Sequence, residues 1–310
     1  MTATLDDIER IKNLRERMKA RPVRRLPEWL KISARLGPEY DRIKNILAHN
    51  QLHSVCQEAA CPNIRECFGE GTATFMILGS NCTRGCRFCN VKTAVPLGLD
   101  TEEPERLAKV VAELGLKQVV ITSVTRDDLP DGGAGIFAET IRRLRLHDKN
   151  IQVEVLIPDL MGNMKAVDII LEARPDVFAH NVETVPRLYR RVRPGAELKR
   201  SLDILRRADI YRPRPVVKTG FMVGLGETLE EITELLRLIY DTGTQIVTVG
   251  QYLRPSPGHM TETRFYHPDE FRQIAAIGRD IGLAHVEAGP LVRSSYKAFS
   301  QSQKLLNRKI

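Results

Sequence analysis

Short β-rich runs alternate with longer amphipathic segments from about residue 74 onward, and this alternation constrains the fold more than any other sequence feature. The β-rich runs cover 74–79, 118–124, 151–157, 177–181, 215–223 and 245–253. Helical patterns lie near 103–114, 135–147, 162–173, 186–208, 228–241 and 268–281. Strands separated by helices of this size indicate βαβ units and a parallel sheet.

These six units favour an α/β fold built as a partial (βα)6 TIM-type barrel. A doubly wound sheet is the alternative, although the Gly-x-Gly-x-x-Gly motif of dinucleotide-binding sheets does not follow the first run. We expect three regions: an N-terminal extension over 1–70, the barrel over 71–282 and a short C-terminal tail over 283–310.

The composition is typical of a globular protein. Hydrophobic residues make up 42% and charged residues 28% of the 310 residues, which is enough to build a sizeable core. No stretch approaches the ~18 uninterrupted apolar residues of a membrane span. Residues 1–31 are charged throughout and lack the apolar region of a secretion signal. We therefore expect a cytoplasmic protein of a reducing compartment, without a membrane partner.

All six cysteines fall between positions 56 and 89. We call Cys56, Cys61 and Cys67 the N-terminal triad, and Cys82, Cys86 and Cys89 the loop triad. Because no secretion signal is present, a disulfide framework is not expected, and clustered cysteines more often bind metal. Six buried structural thiols are the alternative.

The loop triad has the spacing Cys-x3-Cys-x2-Cys and directly follows the first predicted strand. In a parallel barrel this loop lies on the C-terminal face, where active sites form. Three thiolates can hold three irons of a four-iron cluster and leave the fourth iron open to a small chelating ligand. Zinc is the alternative, but structural zinc takes four ligands, often as two Cys-x2-Cys pairs, and only Cys86 and Cys89 form such a pair.

This spacing on this scaffold resembles the radical S-adenosylmethionine (SAM) superfamily. The N-terminal triad, with the spacing Cys-x4-Cys-x5-Cys, and Arg-Ser-Ser-Tyr at 293–296 closely resemble the lipoyl synthase family. The resemblance extends from about residue 27 to 298. It includes Asn-Cys-Thr-Arg-Gly-Cys-Arg-Phe-Cys at 81–89, Arg-Asp-Asp-Leu-Pro-Asp-Gly-Gly at 126–133 and His-Asn-Val-Glu-Thr at 180–184.

The resemblance implies two four-iron clusters with different tasks. The loop triad would hold the cluster that binds SAM and breaks it reductively to a 5′-deoxyadenosyl radical. The N-terminal triad and Ser294 would hold an auxiliary cluster that supplies sulfur. A serine oxygen is a hard ligand and a poor match for iron among thiolates. The iron bound by Ser294 should therefore lose its protein ligand most easily. From the residues alone, Ser294 and Ser295 would be interpreted as caps of a turn.

The resemblance also implies the reaction and its partners. Two sulfur atoms are inserted at carbons 6 and 8 of an octanoyl group on a carrier lysine, giving (dihydro)lipoyl-lysine, and two SAM molecules are used per product. The implied carriers are lipoyl domains of 2-oxoacid dehydrogenases or the glycine-cleavage H protein. An electron donor such as ferredoxin or flavodoxin, and an iron–sulfur carrier that rebuilds the auxiliary cluster, are further implied partners.

Polar residues at the ends of the predicted strands are candidates for SAM contacts. They are Thr122, Ser123 and Asp127 at the end of the second strand, Glu154 on the third, Asn181 and Glu183 at the end of the fourth, and Arg193. A carboxylate in the apolar run around Glu154 is costly unless it is paired or faces the site. For the loop after the second strand, an ordinary βα turn with an Asp helix cap is the alternative.

The chain is basic, since Lys+Arg 47 against Asp+Glu 39 gives a net charge of +8. A positive field suits an acidic lipoyl domain. A nucleic-acid partner is not expected, because no basic stripe is interleaved with aromatic residues.

The nearest enzyme alternatives are a radical SAM maturase or methylthiotransferase. The non-enzyme alternatives are an iron–sulfur electron carrier, which would normally ligate all its irons, and a zinc-stabilised binding module.

Overall fold

The structure is a computed structural model that describes residues 25–31, 38–69 and 73–306. The chain divides into two compact units, Met1–Lys31 and Ile32–Ile310. The described part of the first unit contains a 3-10 turn, Glu28–Leu30. Of the predicted N-terminal extension, residues 1–24, 32–37 and 70 lie outside the described residues.

The second unit is built around a mainly parallel sheet. In chain order its strands are β1 His53–Ser54, β2 Thr74–Ile77, β3 Asn81–Cys82, β4 Lys92–Thr93, β5 Gln118–Ser123, β6 Gln152–Leu156, β7 Val177–Ala179, β8 Val216–Val223, β9 Ile246–Gln251 and β10 His285–Gly289. Eight of them form one sheet in the order β1-β2-β5-β6-β7-β8-β9-β10, while β3 and β4 pair separately. Only the pairing of β1 with β2 is antiparallel within this sheet.

The strand order decides between a barrel and a doubly wound sheet. From β2 to β10 each strand of the sheet lies beside its neighbours in sequence, whereas a doubly wound sheet reverses direction at a switch point. Within the described ranges the end strands β1 and β10 do not pair, so the barrel is not closed. The predicted α/β fold of partial TIM-barrel type is therefore confirmed, with one more parallel strand than expected.

Helices follow most of the parallel strands and cover the sheet. They are α1 Pro38–His49, α2 Val55–Glu58, α3 Ile64–Gly69, α4 Glu103–Glu113, α5 Ala134–His147, α6 Met164–Glu172, α7 Tyr189–Val192, α8 Leu198–Ile210, α9 Leu229–Tyr240, α10 Pro268–Ile281 and α11 Ala298–Leu306. Thr228 begins α9 with a capping box to Glu231, and apolar residues at helical spacing bury one face of that helix. None of the helices in the described part of the chain has the length and apolarity to cross a bilayer.

The prediction of a single helix over 186–208 is wrong. The segment forms a 3-10 turn at Pro186–Leu188, then α7, and then α8 after a break. Pro194 cannot continue a helix, and Gly195 follows it with a φ of +81°. This break leaves Arg193 outside regular helix, with its side chain turned into the protein interior.

The sheet continues past residue 282, where the sequence analysis placed the start of the tail. β10 pairs in parallel with β9, and α11 follows it. At the other end, the two-residue β1 adds an antiparallel edge from within the predicted N-terminal extension. Residues on both sides of the predicted barrel boundaries therefore contribute to the same sheet.

Candidate active site

A cavity of ≈ 490 Å³ lies at the carboxyl ends of the parallel strands. Thiols of both triads line it, namely Cys56, Cys61, Cys82, Cys86 and Cys89. The other predicted site residues in its wall are Thr122, Ser123, Asn181, Glu183, Arg193 and Ser294. Cys67, Asp127 and Glu154 are not part of this wall.

The cysteine loop, residues 82–89, is fixed to the ends of the neighbouring strands by its backbone. The N–H of Thr83 donates to the carbonyl of Thr125 at 3.0 Å, and that of Arg87 donates to Val192 at 3.0 Å. The sulfur of Cys82 accepts from the N–H groups of Arg84 and Thr125, each at 3.4 Å. N–H donors of this kind stabilise a thiolate that binds iron.

The loop thiols are crowded and desolvated. Burial raises the pKa of Cys89 to about 12, and the neighbouring Cys86 and Cys82 contribute in the same direction. Burial also raises the pKa of Cys86, which the positive charge of Arg193 opposes. Such thiols lose their protons when a cation compensates the charge, as iron does.

The cysteine set suits a cluster. Across the residues described, no three His, Cys, Asp or Glu side chains converge on the position of one metal ion. The thiolates of a four-iron cluster bind different irons, so a set that fits a cluster need not converge in this way. The loop triad places three free thiols on one short loop beside the cavity, and such a set can bind three different irons of one cluster.

The N-terminal triad lies on two short helices and the turn between them. Cys56 is on α2, Cys67 is on α3, and the N–H of Cys61 donates to the carbonyl of Cys56 at 3.0 Å. Burial, with a smaller contribution from Cys61, raises the pKa of Cys56 to about 11. Asn63 donates from its side-chain amide to the carbonyl of Leu291 at 2.7 Å, which joins the triad to the tail.

The tail motif lines the same cavity as thiols of both triads. Ser294 Oγ accepts a hydrogen bond from Asn181 Nδ2 at 2.7 Å, while Ser295 Oγ accepts one from Thr74 Oγ1 at 2.8 Å. Both hydroxyls therefore bond across the fold rather than to the turn that contains them. Tyr296 donates to Glu66 Oε1 at 2.8 Å, beside Cys67 in the sequence.

Asn181, Glu183 and Arg193 form a polar wall of the cavity. Asn181 Nδ2 donates to Glu183 Oε1 at 3.1 Å, and an Arg193 guanidinium nitrogen donates to the Asn181 carbonyl at 2.9 Å. Asn181 Oδ1 and Arg193 Nε are buried without a partner in the structure. Burial raises the pKa of Glu183, against the opposing charge of Arg193. Unpartnered buried polar atoms at a cavity are suited to a polar ligand.

The last two residues of β5, Thr122 and Ser123, differ in whether their hydroxyls are available to a ligand. Ser123 Oγ is buried and has no partner, so it is free to bind a ligand. Thr122 Oγ1 donates to the carbonyl of Leu156 at 2.8 Å, which uses its hydroxyl proton within the sheet.

The structure gives Asp127 and Glu154 partners other than a cofactor. Asp127 accepts a bidentate pair from Arg84, at 2.7 and 2.8 Å. Glu154 Oε1 accepts from Lys218 Nζ at 2.9 Å, and each of these two side chains is 1% exposed. The second oxygen, Glu154 Oε2, is buried without a partner among the described residues, so the cofactor role predicted for Glu154 stays a prediction.

Sequence matches assign the chain to a family. It matches the radical SAM superfamily over residues 76–239 and the N-terminal domain of lipoyl synthase over residues 3–61. The lipoyl synthase of Rubrobacter xylanophilus is 52% identical, covering 89% of this chain and 86% of that protein. The lipoyl synthase of Symbiobacterium thermophilum is 51% identical, covering 93% of this chain and 90% of that protein.

The chain belongs to the lipoyl synthase family. It is therefore a radical SAM enzyme, for which the superfamily implies a four-iron cluster and SAM. This assignment excludes the alternatives of an electron carrier, a zinc-stabilised module, a maturase and a methylthiotransferase.

Solved structures resemble the fold at low sequence identity. Streptococcus suis SuiB bound to precursor peptide SuiA has a TM-score of 0.54 at 13% identity, covering 97% of this chain and 63% of that chain. HydG, a maturase of the FeFe-hydrogenase, has a TM-score of 0.51 at 15% identity, covering 67% of this chain and 54% of that chain. These similarities support the partial barrel.

A hydrogen-bonded chain behind the polar wall was not predicted from the sequence. Nε2 of His180 lies 2.9 Å from Ser201 Oγ, which lies 2.7 Å from the hydroxyl of Tyr189. Arg193 donates to that hydroxyl at 2.8 Å. Burial, together with the charge of Arg193, lowers the pKa of His180 to about 4. His180 lies within the family-like segment 180–184. The sequence spacing could not show that Ser201 and Tyr189 connect it to Arg193 through hydrogen bonds.

Proposed function

We propose that this lipoyl synthase family member inserts two sulfur atoms at carbons 6 and 8 of a protein-bound octanoyl-lysine, giving (dihydro)lipoyl-lysine. In this proposal Cys82, Cys86 and Cys89 hold the radical SAM cluster. The N-terminal triad and Ser294 hold an auxiliary cluster that provides the sulfur. The observation that supports the proposal most strongly is that thiols of both triads and Ser294 face the same cavity.

The clusters and the protein contribute different parts of the chemistry. When bound, the loop cluster supplies the electron that cleaves SAM to give a hydrogen-abstracting radical, and the auxiliary cluster supplies sulfide. The protein holds both reacting partners in one enclosed space. Orientation of this kind matters because a carbon radical reacts with whichever group lies within contact distance.

Three side chains of the polar wall are proposed to orient SAM. Arg193 is 8% exposed and carries a buried, unpartnered Nε, which suits a carboxylate. Asn181 and Glu183 offer an amide and a carboxylate, which suit ribose hydroxyls. Ser123 adds a buried hydroxyl without a partner. Thr122 and Asp127 have weaker support, because each is already hydrogen-bonded within the protein.

Ser294 is proposed to be the exchangeable ligand of the auxiliary cluster. Its hydroxyl is held by Asn181 at 2.7 Å, and the tail is joined to the N-terminal triad through Asn63 and Tyr296. A serine oxygen binds iron more weakly than a thiolate in such a set. The cluster would therefore open at this corner when sulfide is removed.

The partners follow from the reaction. Lipoyl domains of 2-oxoacid dehydrogenases or the glycine-cleavage H protein would present the octanoyl-lysine. A ferredoxin or flavodoxin would supply electrons, and an iron–sulfur carrier would rebuild the auxiliary cluster between turnovers. The proposed location is the cytoplasm, where the free thiols stay reduced.

Anaerobic reconstitution followed by iron and sulfide analysis tests the proposal. Two four-iron clusters predict about eight irons per chain, against about four for a single cluster. The reconstituted protein is then incubated with SAM, dithionite and an octanoylated lipoyl domain, and the domain is analysed by mass spectrometry. A mass gain equal to two inserted sulfur atoms supports the proposal, whereas an unchanged octanoyl group with full SAM cleavage contradicts it.

A further inference from the structure

Arg84 lies inside the cysteine loop, between Cys82 and Cys86, and its side chain is only 8% exposed. Its Nε donates to Asp127 Oδ2 at 2.7 Å, and one terminal nitrogen donates to Asp127 Oδ1 at 2.8 Å. The other terminal nitrogen lies 2.7 Å from Asp159 Oδ1. All three nitrogens of the guanidinium therefore contact carboxylate oxygens.

The two carboxylates come from the loops that follow β5 and β6. Asp159 is fully buried, and its second oxygen accepts from Arg200 on α8 at 3.0 Å. Burial alone would raise the pKa of Asp159, but the hydrogen bonds and charge of Arg84 lower it to about 2. Two arginines and two aspartates thus form a charge-balanced network, the arrangement in which buried ions are stable.

A second set of bonds ties the same loop to the segment after β5. Thr83 Oγ1 donates to the carbonyl of Thr125 at 3.0 Å and accepts from the N–H of Asp127 at 3.2 Å. The cysteine loop is consequently held at two adjacent residues, Thr83 and Arg84, before any metal is bound. A planar guanidinium can bind two carboxylates in fixed directions, which a lysine ammonium cannot do.

We propose that Arg84, Asp127 and Asp159 form a positioning network that arranges the cysteine loop to accept its cluster. This proposal depends on the proposed function in one respect, the identity of the cluster that the loop accepts. Arg84 is a positioning residue rather than a catalytic one, because its contacts are to other loops of the protein. The role accounts for Asp127, which belongs to a family-like motif but does not line the cavity.

Hydrogen exchange of the full-length apo-protein tests the network without a cluster. In Arg84→Gln the amides of Thr83 and Arg87, which are hydrogen-bonded to Thr125 and Val192, should exchange roughly tenfold faster, equivalent to about 1.4 kcal/mol. Peptides that cover the N-terminal triad should exchange at the wild-type rate. The matched control is Arg207→Gln, which removes another bidentate arginine, bonded to Asp168 at 2.7 and 2.8 Å. Unchanged exchange in the cysteine loop overturns the proposal.

Iron analysis and SAM binding give a second test. Arg84→Lys keeps the positive charge but loses the planar guanidinium that binds two carboxylates. Reconstitution should therefore give about four irons per chain instead of about eight, and the SAM-dependent change in the EPR spectrum should disappear. If Arg84 variants do not fold, Asp127→Asn replaces them, because its side chain is 27% exposed and the Asp159 pair remains. Full iron content with wild-type exchange in Asp127→Asn then overturns the proposal. A wild-type protein without loop iron would contradict the proposed function, and hydrogen exchange would still test the network.

Discussion

At the residue scale, Ser294 links the two halves of the site. Its hydroxyl accepts from Asn181, which is proposed to bind SAM, and the residue is also proposed to bind the auxiliary cluster. Asn181 uses different atoms for Ser294 and for SAM. Its amide nitrogen donates to Ser294, while its buried amide oxygen has no partner in the structure and stays available for SAM. The two half-reactions can therefore be separated by substitution.

Ser294→Ala should leave SAM cleavage close to the wild-type rate and lower lipoyl product by about 100-fold, the upper range for disturbing a metal site. The variant removes the proposed iron ligand and leaves the loop triad intact. The measurement follows 5′-deoxyadenosine by chromatography and product by mass spectrometry in the same sample. The control is Ser300→Ala, which changes an exposed serine whose hydroxyl donates to the Lys297 carbonyl. Wild-type product yield in Ser294→Ala would remove the serine from the mechanism.

Cys86→Ala should reduce 5′-deoxyadenosine formation to background. Cys86 is the central residue of the loop triad, and the charge of Arg193 opposes the rise in its pKa that burial causes. Without it the loop offers two thiolates, too few to hold a four-iron cluster with one open iron. Cys67→Ala serves as the contrast, since it should keep cleavage while losing product. Undiminished cleavage in Cys86→Ala would move the radical site elsewhere.

The ion pair of Glu154 and Lys218 should contribute to stability. Lys218→Met leaves a buried carboxylate uncompensated, which should cost about 3–5 kcal/mol of unfolding free energy. Lys218→Met combined with Glu154→Leu should recover most of that loss, because no buried charge remains. Urea unfolding of the apo-proteins followed by circular dichroism measures both. A single variant as stable as wild type would mean that Glu154 has another partner.

At the element scale, the tail approaches β9 at Gly250. A Cβ placed on Gly250 would lie 2.0 Å from the carbonyl oxygen of Val292, a contact that backbone atoms cannot accept. Glycine at this position therefore lets the segment that carries Ser294 enter the cavity wall. The same contact makes the placement of Ser294 depend on β9.

Gly250→Ala should consequently resemble Ser294→Ala. The tail must move away from β9, so lipoyl product should fall by at least about 10-fold while SAM cleavage is largely kept. The same two assays measure the effect. Gly98→Ala is the matched control, since a Cβ there meets no atom within 4 Å. Equal product from Gly250→Ala and wild type would show that the tail contact is not needed.

The sequence predicted the regular elements well and their irregular connections poorly. All six predicted strands are present, because strands of a helix-covered parallel sheet are apolar on both faces and stand out from their surroundings. β10 was missed because four of its five residues are partly exposed, and a strand in which only Val286 is buried lacks that signature. The segment 186–208 was predicted as one helix because its amphipathic pattern continues through Pro194.

The site was predictable to the extent that it is encoded in spacing. The two triads were identified from their spacing, and the tail motif at 293–296 from the family resemblance, neither of which needs knowledge of the fold. The pairing of Glu154 with Lys218 was not predicted, because the two residues are 64 positions apart in the sequence. Arg84 and His180 were not recognised as supporting residues because their roles depend on hydrogen bonds between separate strand ends.

At the whole-molecule scale, the barrel brings four distant segments to one cavity. The N-terminal triad and the tail lie at opposite ends of the described second unit in sequence, yet Asn63 contacts Leu291 directly. The cysteine loop and the polar wall come from the ends of the parallel strands between them. A partial barrel with open edges thus leaves space at its rim where these terminal segments meet the strand ends.

One cavity is proposed to hold both a radical-generating cluster and a cluster that is consumed as the sulfur source. Single-turnover sulfur labelling distinguishes this arrangement from an external sulfur donor. The protein is reconstituted with heavy-isotope sulfide, freed of unbound sulfide, and given SAM, dithionite and an octanoylated lipoyl domain. The account predicts that both sulfur atoms of the product carry the heavy isotope. A product with sulfur of natural isotope composition would contradict it.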